Sequence, residues 1–226
     1  MKKFAVLSLV LIMMALLAVP AFAAELSVTE STLFIYDNDD DGYFFAKVEN
    51  TGETGGYCGS SVLEILNGSN EAFITKNYVS ASPYGIWLEP GESVYIRESI
   101  WDKSLLETPV SGFNFTPGVS NYGSKYHQVP CEAEFYFSTE SKYDNEIFVT
   151  FTNNTAELMY NFEIVAALYD ADDTLAYVYS SSYSNVAIHP GSTLTIMLDV
   201  NSTLSEHLNT HGIVPSRVVG MVYIED

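Results

Sequence analysis

Asp37, Asp39 and Asp41 stand at alternate positions ahead of Gly42, the D-x-D-x-D-G spacing that wraps carboxylate oxygens around a calcium ion, with the Tyr43 carbonyl as a further ligand. A full EF-hand loop closes with a bidentate Glu at its twelfth position, where this chain has Val48, with Glu49 one residue late. The same residues also describe an acidic hairpin turn kept in water, and both readings stay open. No cofactor is expected, with calcium at this loop the one open possibility of the acidic turn. His207 and His211 stand four apart on an expected helix beside Glu206, a spacing that offers two imidazoles to zinc or simply decorates a surface helix. Tyr84 and Trp87, or Tyr177, Tyr179 and Tyr183, could form a flat platform for sugar rings, although packing explains such aromatics equally well. Cys58 and Cys131 are the only cysteines, so a bridge or two free thiols are both open.

Nucleophilic catalysis finds no G-x-S-x-G elbow and no Cys–His constellation. Paired carboxylates for glycoside hydrolysis are recognised only by their separation in space, and the chain has many acids. No enzymatic activity is expected.

The elements that must position these residues are written twice. Phe44-Phe45-Ala46-Lys47-Val48-Glu49-Asn50 lies over Ile147-Phe148-Val149-Thr150-Phe151-Thr152-Asn153 at a shift of 103. Leu63 to Asn67 lies over Ala166 to Asp170 at the same shift, and Leu88-Glu89-Pro90-Gly91 over Ile188-His189-Pro190-Gly191 at 100. Period-two alternation, with Phe44, Ala46 and Val48 on one face and Ile147, Val149 and Phe151 on the other copy's equivalent, predicts strands with one buried side. Further strands are expected over 61–66, 72–79, 93–98 and 112–115, and over 162–169, 174–179, 193–198 and 218–224. Thr203 with Glu206 reads as a capping box that opens a short helix stopped by Gly212, and 99–107 as its weaker counterpart.

Ahead of the repeat, Lys2 and Lys3, the apolar run from Phe4 to Val19 and Ala21-Phe22-Ala23 predict a cleaved signal peptide over residues 1–23, and a short Met-Lys-Lys start resembles bacterial export peptides. Removing it leaves 7 basic against 29 acidic side chains, a net charge of −22. Such a chain repels nucleic acid and anionic membrane surfaces, and no later run is long enough to insert in a membrane. Apolar residues at 47% and aromatics at 14% supply packed cores for about two domains of ordinary size.

Asn153-Asn-Thr, then Ala166-x-Leu168-Tyr169-Asp170, then Pro190-Gly191 ahead of an alternating strand resembles the FxLYD domain, a bacterial extracellular module. The first copy is more degenerate, reading Leu63-x-Ile65-Leu66-Asn67 between Asn50-Thr51-Gly52 and Pro90-Gly91. The resemblance implies immunoglobulin-like β-sandwiches and transfers no catalytic residues. The expectation is therefore an all-β protein: a signal peptide, a first sandwich over 24–120, a linker over 121–130 and a second sandwich over 131–226. It would be secreted and act as an extracellular binding or spacer module toward a protein or glycan. The alternative is a carbohydrate-binding module using Tyr84 and Trp87, with calcium at Asp37, Asp39 and Asp41.

Overall fold

The computed structural model describes residues 24–36 and 39–226; the expected signal peptide lies outside them. In chain order the strands are β1 (Leu26–Ile35), β2 (Asp41–Asn50), β3 (Gly56–Asn67), β4 (Ala72–Val79), β5 (Ala81–Ser82), β6 (Trp87–Leu88), β7 (Ser93–Trp101), β8 (Val110–Ser120), β9 (Tyr126–Val129), β10 (Cys131–Tyr136), β11 (Glu146–Thr152), β12 (Phe162–Asp170), β13 (Leu175–Tyr183) and β14 (Thr193–Asp199). Helix α1 (Ser202–Thr210) and strand β15 (Pro215–Glu225) complete the chain. The protein is an all-β sandwich fold, and every expected strand forms.

The strands build four sheets whose order in space is a stack. In layer I, β3 has β8 along one edge and β4, then β6, along the other. Layer II has the order β1-β2-β7-β5, layer III β13-β12-β15-β9 and layer IV β10-β11-β14. Phe44 of layer II meets Phe113 and Phe115 of layer I at 5.3 and 4.8 Å, and Phe162 of layer III meets Phe151 of layer IV at 5.2 Å. Layers I and II thus close one sandwich, and layers III and IV a second. The strand orders correspond: β1-β2-β7 to β10-β11-β14, and β4-β3-β8 to β13-β12-β15.

Layers II and III then pack face to face. Phe45 meets Tyr177 edge-on at 5.7 Å, and the Tyr95 and Tyr169 hydroxyls share a buried 2.7 Å hydrogen bond. The alternation in β2 correctly turns Phe44, Ala46 and Val48 toward layer I, but Tyr43 and Phe45 on the opposite face are buried as well. The second sandwich covers that face, which the pattern of one strand cannot reveal.

Local chemistry repeats in detail. Asn50, fully buried, donates from Nδ2 to Thr54 O (2.8 Å) and Leu88 O (2.9 Å), while its backbone exchanges hydrogen bonds with Gly91 N and Glu92 O. Asn153, also fully buried, donates to Glu157 O and Ile188 O (both 2.8 Å) and exchanges with Gly191 N and Ser192 O. Asn67 and Asp170 each accept two backbone N–H groups of the turn they begin, from Ser69 and Glu71 and from Asp172 and Thr174.

Three expectations shift. The N-cap of α1 is Asn201, two residues ahead of Thr203; its Oδ1 accepts from Thr203 and Leu204 N (both 3.0 Å), and Glu206 pairs with Lys142 rather than closing a capping box. Residues 99–107 hold no counterpart helix: β7 continues to Trp101, and a single 3-10 turn over Lys103–Leu106 follows, capped by Asp102. The linker is shorter than expected, since Tyr126–Val129 pairs with β15 as an edge strand. On its other side β8 extends through Pro117 to Ser120, and Pro117 falls at a register irregularity where no ladder N–H is needed.

Removing either knot should be costly. Asn50→Ala should lower the unfolding free energy by roughly 3 kcal/mol, and Asn153→Ala by less, because Glu157 O keeps Thr155 Oγ1 (3.1 Å) and Ile188 O keeps Met159 N (3.0 Å); both are read from urea midpoints at an unchanged slope.

Candidate functional site

The acidic hairpin and the histidine pair, far apart in sequence, meet at the seam between the sandwiches. Where β1 leads into β2, Tyr36 N donates to Asp41 O (3.1 Å) and Asp39 N donates to Tyr36 O (3.3 Å). Gly42 is dictated by close approach: a Cβ there would lie 2.3 Å from Phe34 O. Helix α1 packs Leu204 and Leu208 inward and sets His207 edge-on to Phe34 and Tyr36, with ring centroids at 5.2 and 5.4 Å. The His207 and His211 rings lie 4.1 Å apart, and His211 Nδ1 donates to His207 O (2.9 Å), which fixes the proton on that nitrogen. Tyr36, Asp39, Glu206, His207 and His211 line a recess of about 290 Å³.

Of the expected calcium ligands, Asp37 lies outside the described residues, Asp39 lines this recess and accepts from Asp40 N (2.8 Å), and Asp41 begins β2. Burial, more than its acidic neighbours, holds the Asp41 carboxyl above the usual carboxylate range. Among the described residues no three His, Cys, Asp or Glu side chains are grouped to hold a metal ion.

The proposed aromatic platform is differently built. Tyr84 is 54% exposed, but Trp87 is a packing residue. Its Nε1 donates to Glu89 (2.8 Å), Tyr57 meets it edge-on at 4.8 Å, and the Lys125 ammonium lies 5.1 Å from its ring centre. A Cβ on Gly55 would fall 2.4 Å from the indole, so the glycine exists to admit it. Tyr177 is buried at the seam and Tyr183 stacks on Phe162 at 5.1 Å, so neither forms a surface platform.

Cys58 and Cys131 are both free thiols. Of the two open readings the structure has the free thiols: Cys58 lies on β3 in layer I, while Cys131 begins β10 of layer IV with its Sγ against Gly220 of layer III. Burial pushes the Cys58 thiol up to about 11, which leaves it unreactive at neutral pH.

Two features were not anticipated. Leu158 and Tyr160, about half exposed, line a groove of about 460 Å³ with Glu157, His127 and Asp226, the last two joined at 2.8 Å. The apolar Leu158-Met159-Tyr160 run directly after a turn was the signal available in sequence. At the seam, Lys47 pairs with Glu30 (3.4 Å), while Arg217 pairs with Asp173 and lies 3.8 Å over the Tyr169 ring. Tyr169 is held well above the ordinary phenol range by burial first, then by the Glu30 carboxylate and Tyr95 phenol beside it.

No family model matches the chain, and no curated protein matches it. Among solved structures the chain is similar to red sea bream transglutaminase, at 12% identity and a TM-score of 0.27, over 90% of this chain and 29% of that one. It is also similar to Bacteroides uniformis beta-glucuronidase, at 10% identity and a TM-score of 0.22 over 78% of this chain and 27% of that one. A calcium-binding mutant of Bacteroides uniformis beta-glucuronidase 2 gives 8% identity and a TM-score of 0.23 over 72% and 22%. The chain spans less than a third of the length of each.

The seam should fail in base. Tyr177, pushed up to about 12 chiefly by burial, keeps its proton in the folded state after the unfolded chain has lost its own near 10. A raised value means the contribution is whole below pH 10 and fades above it, at about 1.4 kcal/mol per pH unit up to the folded value. Tyr36, Tyr95, Tyr169 and Tyr223 are shifted the same way. Urea midpoints should therefore fall steeply from pH 10 to 12 together with the phenolate absorbance, and Tyr177→Phe should flatten the slope.

Proposed function

We propose that the chain is a non-enzymatic, exported bacterial protein in which a duplicated FxLYD-like sandwich acts as an extracellular binding or spacing module. The observation that carries this reading is the burial of both faces of β2, which makes layer II common to two cores and fixes one sandwich against the other. A spacer needs that rigidity, and a binding module gains from it because loops held on a stiff frame lose little freedom on contact. The matched strand orders and the paired Asn50 and Asn153 networks support the duplication. The signal peptide and the net charge of −22 after its removal support a location outside the cell, where an acidic surface keeps a small module soluble. Contact residues would come from loop ends such as Leu158 and Tyr160.

Solution scattering should fit one rigid particle with the dimensions of the four-layer stack, unchanged from low to high salt. A hinging particle would overturn the reading. A glycan array with and without chelator tests the carbohydrate alternative, for which binding through Tyr84 is the requirement; we expect no signal in either condition.

A further inference from the structure

The two sandwiches differ at one edge. In layer II the far edge of β7 is covered by β5, with Ala81 opposite Ile96 and Ser82 opposite Tyr95. Its counterpart β14 has β11 on one side and, among the described residues, no strand on the other. The cause lies one strand earlier. After Val79 the chain crosses through Ser80 into layer II, whereas β13 stays paired with β12 as far as Tyr183.

Burial records the consequence. Val94 and Ile96 are fully buried, whereas Leu194 and Ile196 at the matching positions, opposite buried Phe151 and Val149, are only half-buried. The second core is open along β14.

Proteins guard such edges with bulges, prolines, lysines or alternating charges. Strand β1 has a register shift between Val28 and Glu30, β4 has two shifts and Lys76, and β10 alternates Glu132 and Glu134. Strand β14, Thr-Leu-Thr-Ile-Met-Leu-Asp, has none of these until Asp199 and pairs with β11 in unbroken register over all seven residues.

We propose that β14 accepts an extended strand from a partner protein, with apolar side chains over Leu194 and Ile196 and Lys or Arg side chains on the solvent side of layer IV. Strand addition supplies main-chain hydrogen bonds, and the flanking faces supply selectivity. The charge follows from that solvent face: Glu132, Glu134, Glu146 and Asp199 stand on it, and β10, β11 and β14 contain no Lys or Arg. A second copy would bring the same acids against this surface, whereas a cationic strand is complementary to it. The inference rests on the binding-module reading and names its surface and the chemistry of its partner.

The test titrates the full exported chain with a synthetic peptide as long as β14 that alternates lysine with valine, and with a glutamate–valine control, following backbone hydrogen exchange. We expect the lysine peptide to protect amides of 193–199 and leave 131–136 unchanged, to weaken with salt, and to bind at least about tenfold more tightly than the control. Ile196→Lys should abolish binding. Asp199→Asn with Glu146→Gln, the acids on the solvent face nearest the added strand, should weaken the lysine peptide several-fold and narrow the gap to the control. Equal binding of both peptides, saturation without protection of 193–199, or protection of 193–199 by concentration-dependent self-association alone would each overturn the proposal. If the edge fails while scattering still gives one rigid particle, only this inference falls; a hinging particle removes the module reading instead.

Discussion

Each sandwich is closed by one buried amide. Asn50 and Asn153 sit where a central strand ends, and a single side chain there satisfies carbonyls from the following loop and from the segment just ahead of a Pro-Gly turn. Buried carbonyls must find donors, and one amide supplies a hydrogen bond to both carbonyls of its pair. The amide therefore fixes three separate pieces of backbone relative to each other: the strand end, the loop after it and the turn that launches β7 or β14. The same demand explains why Asn-Thr-Gly or Asn-Asn-Thr and Pro-Gly occur together in each half, although some 40 residues separate them.

With both sandwiches closed alike, their differences decide the whole. Tyr43, Phe45, Tyr95, Arg97 and the Lys47–Glu30 pair give layer II an outer face of aromatic rings and cations, and that face is covered by layer III. Layer IV presents Glu134, Phe148, Thr150, Thr195 and Met197 at the equivalent place and remains in water. Apolar area on layer II and acids on layer IV let the first face, and not the second, form such a junction.

Much of this architecture was legible in sequence because alternation, turn residues and the repeat offset are local signals. Strands over 61–66 and 218–224 needed only the period of two, and the turns after Asn67 and Asp170 needed only their side chains. What stayed hidden depends on pairing between distant segments. Tyr43 and Phe45 read as a solvent face because nothing in β2 announces that Tyr177 will cover it. Trp87 read as a platform because Gly55 and Tyr57, which enclose it, lie some thirty residues earlier. That Cys58 and Cys131 stay unbridged depends on the layers β3 and β10 join, which no spacing of two cysteines encodes. The seam recess combined two weak signals, Asp39 and the histidine pair, that sequence could only weigh singly.

The missing edge strand has the same origin as the junction. Crossing of the chain from β4 into β5 places Ala81 and Ser82 beside β7, and Glu163 of layer III lies against Ser82, so the crossover also completes the seam. In the second half the chain makes no such crossover, and β13 instead runs on to stack Tyr183 over Phe162. Continuing β13 buries more of layer III but leaves β14 bare, so the seam of the first sandwich and the open edge of the second are alternative uses of the same stretch of chain. A strand grafted onto β14 should bury Leu194 and Ile196 to the level of Val94 and Ile96 without disturbing the seam, because layer IV and layer II share no strand.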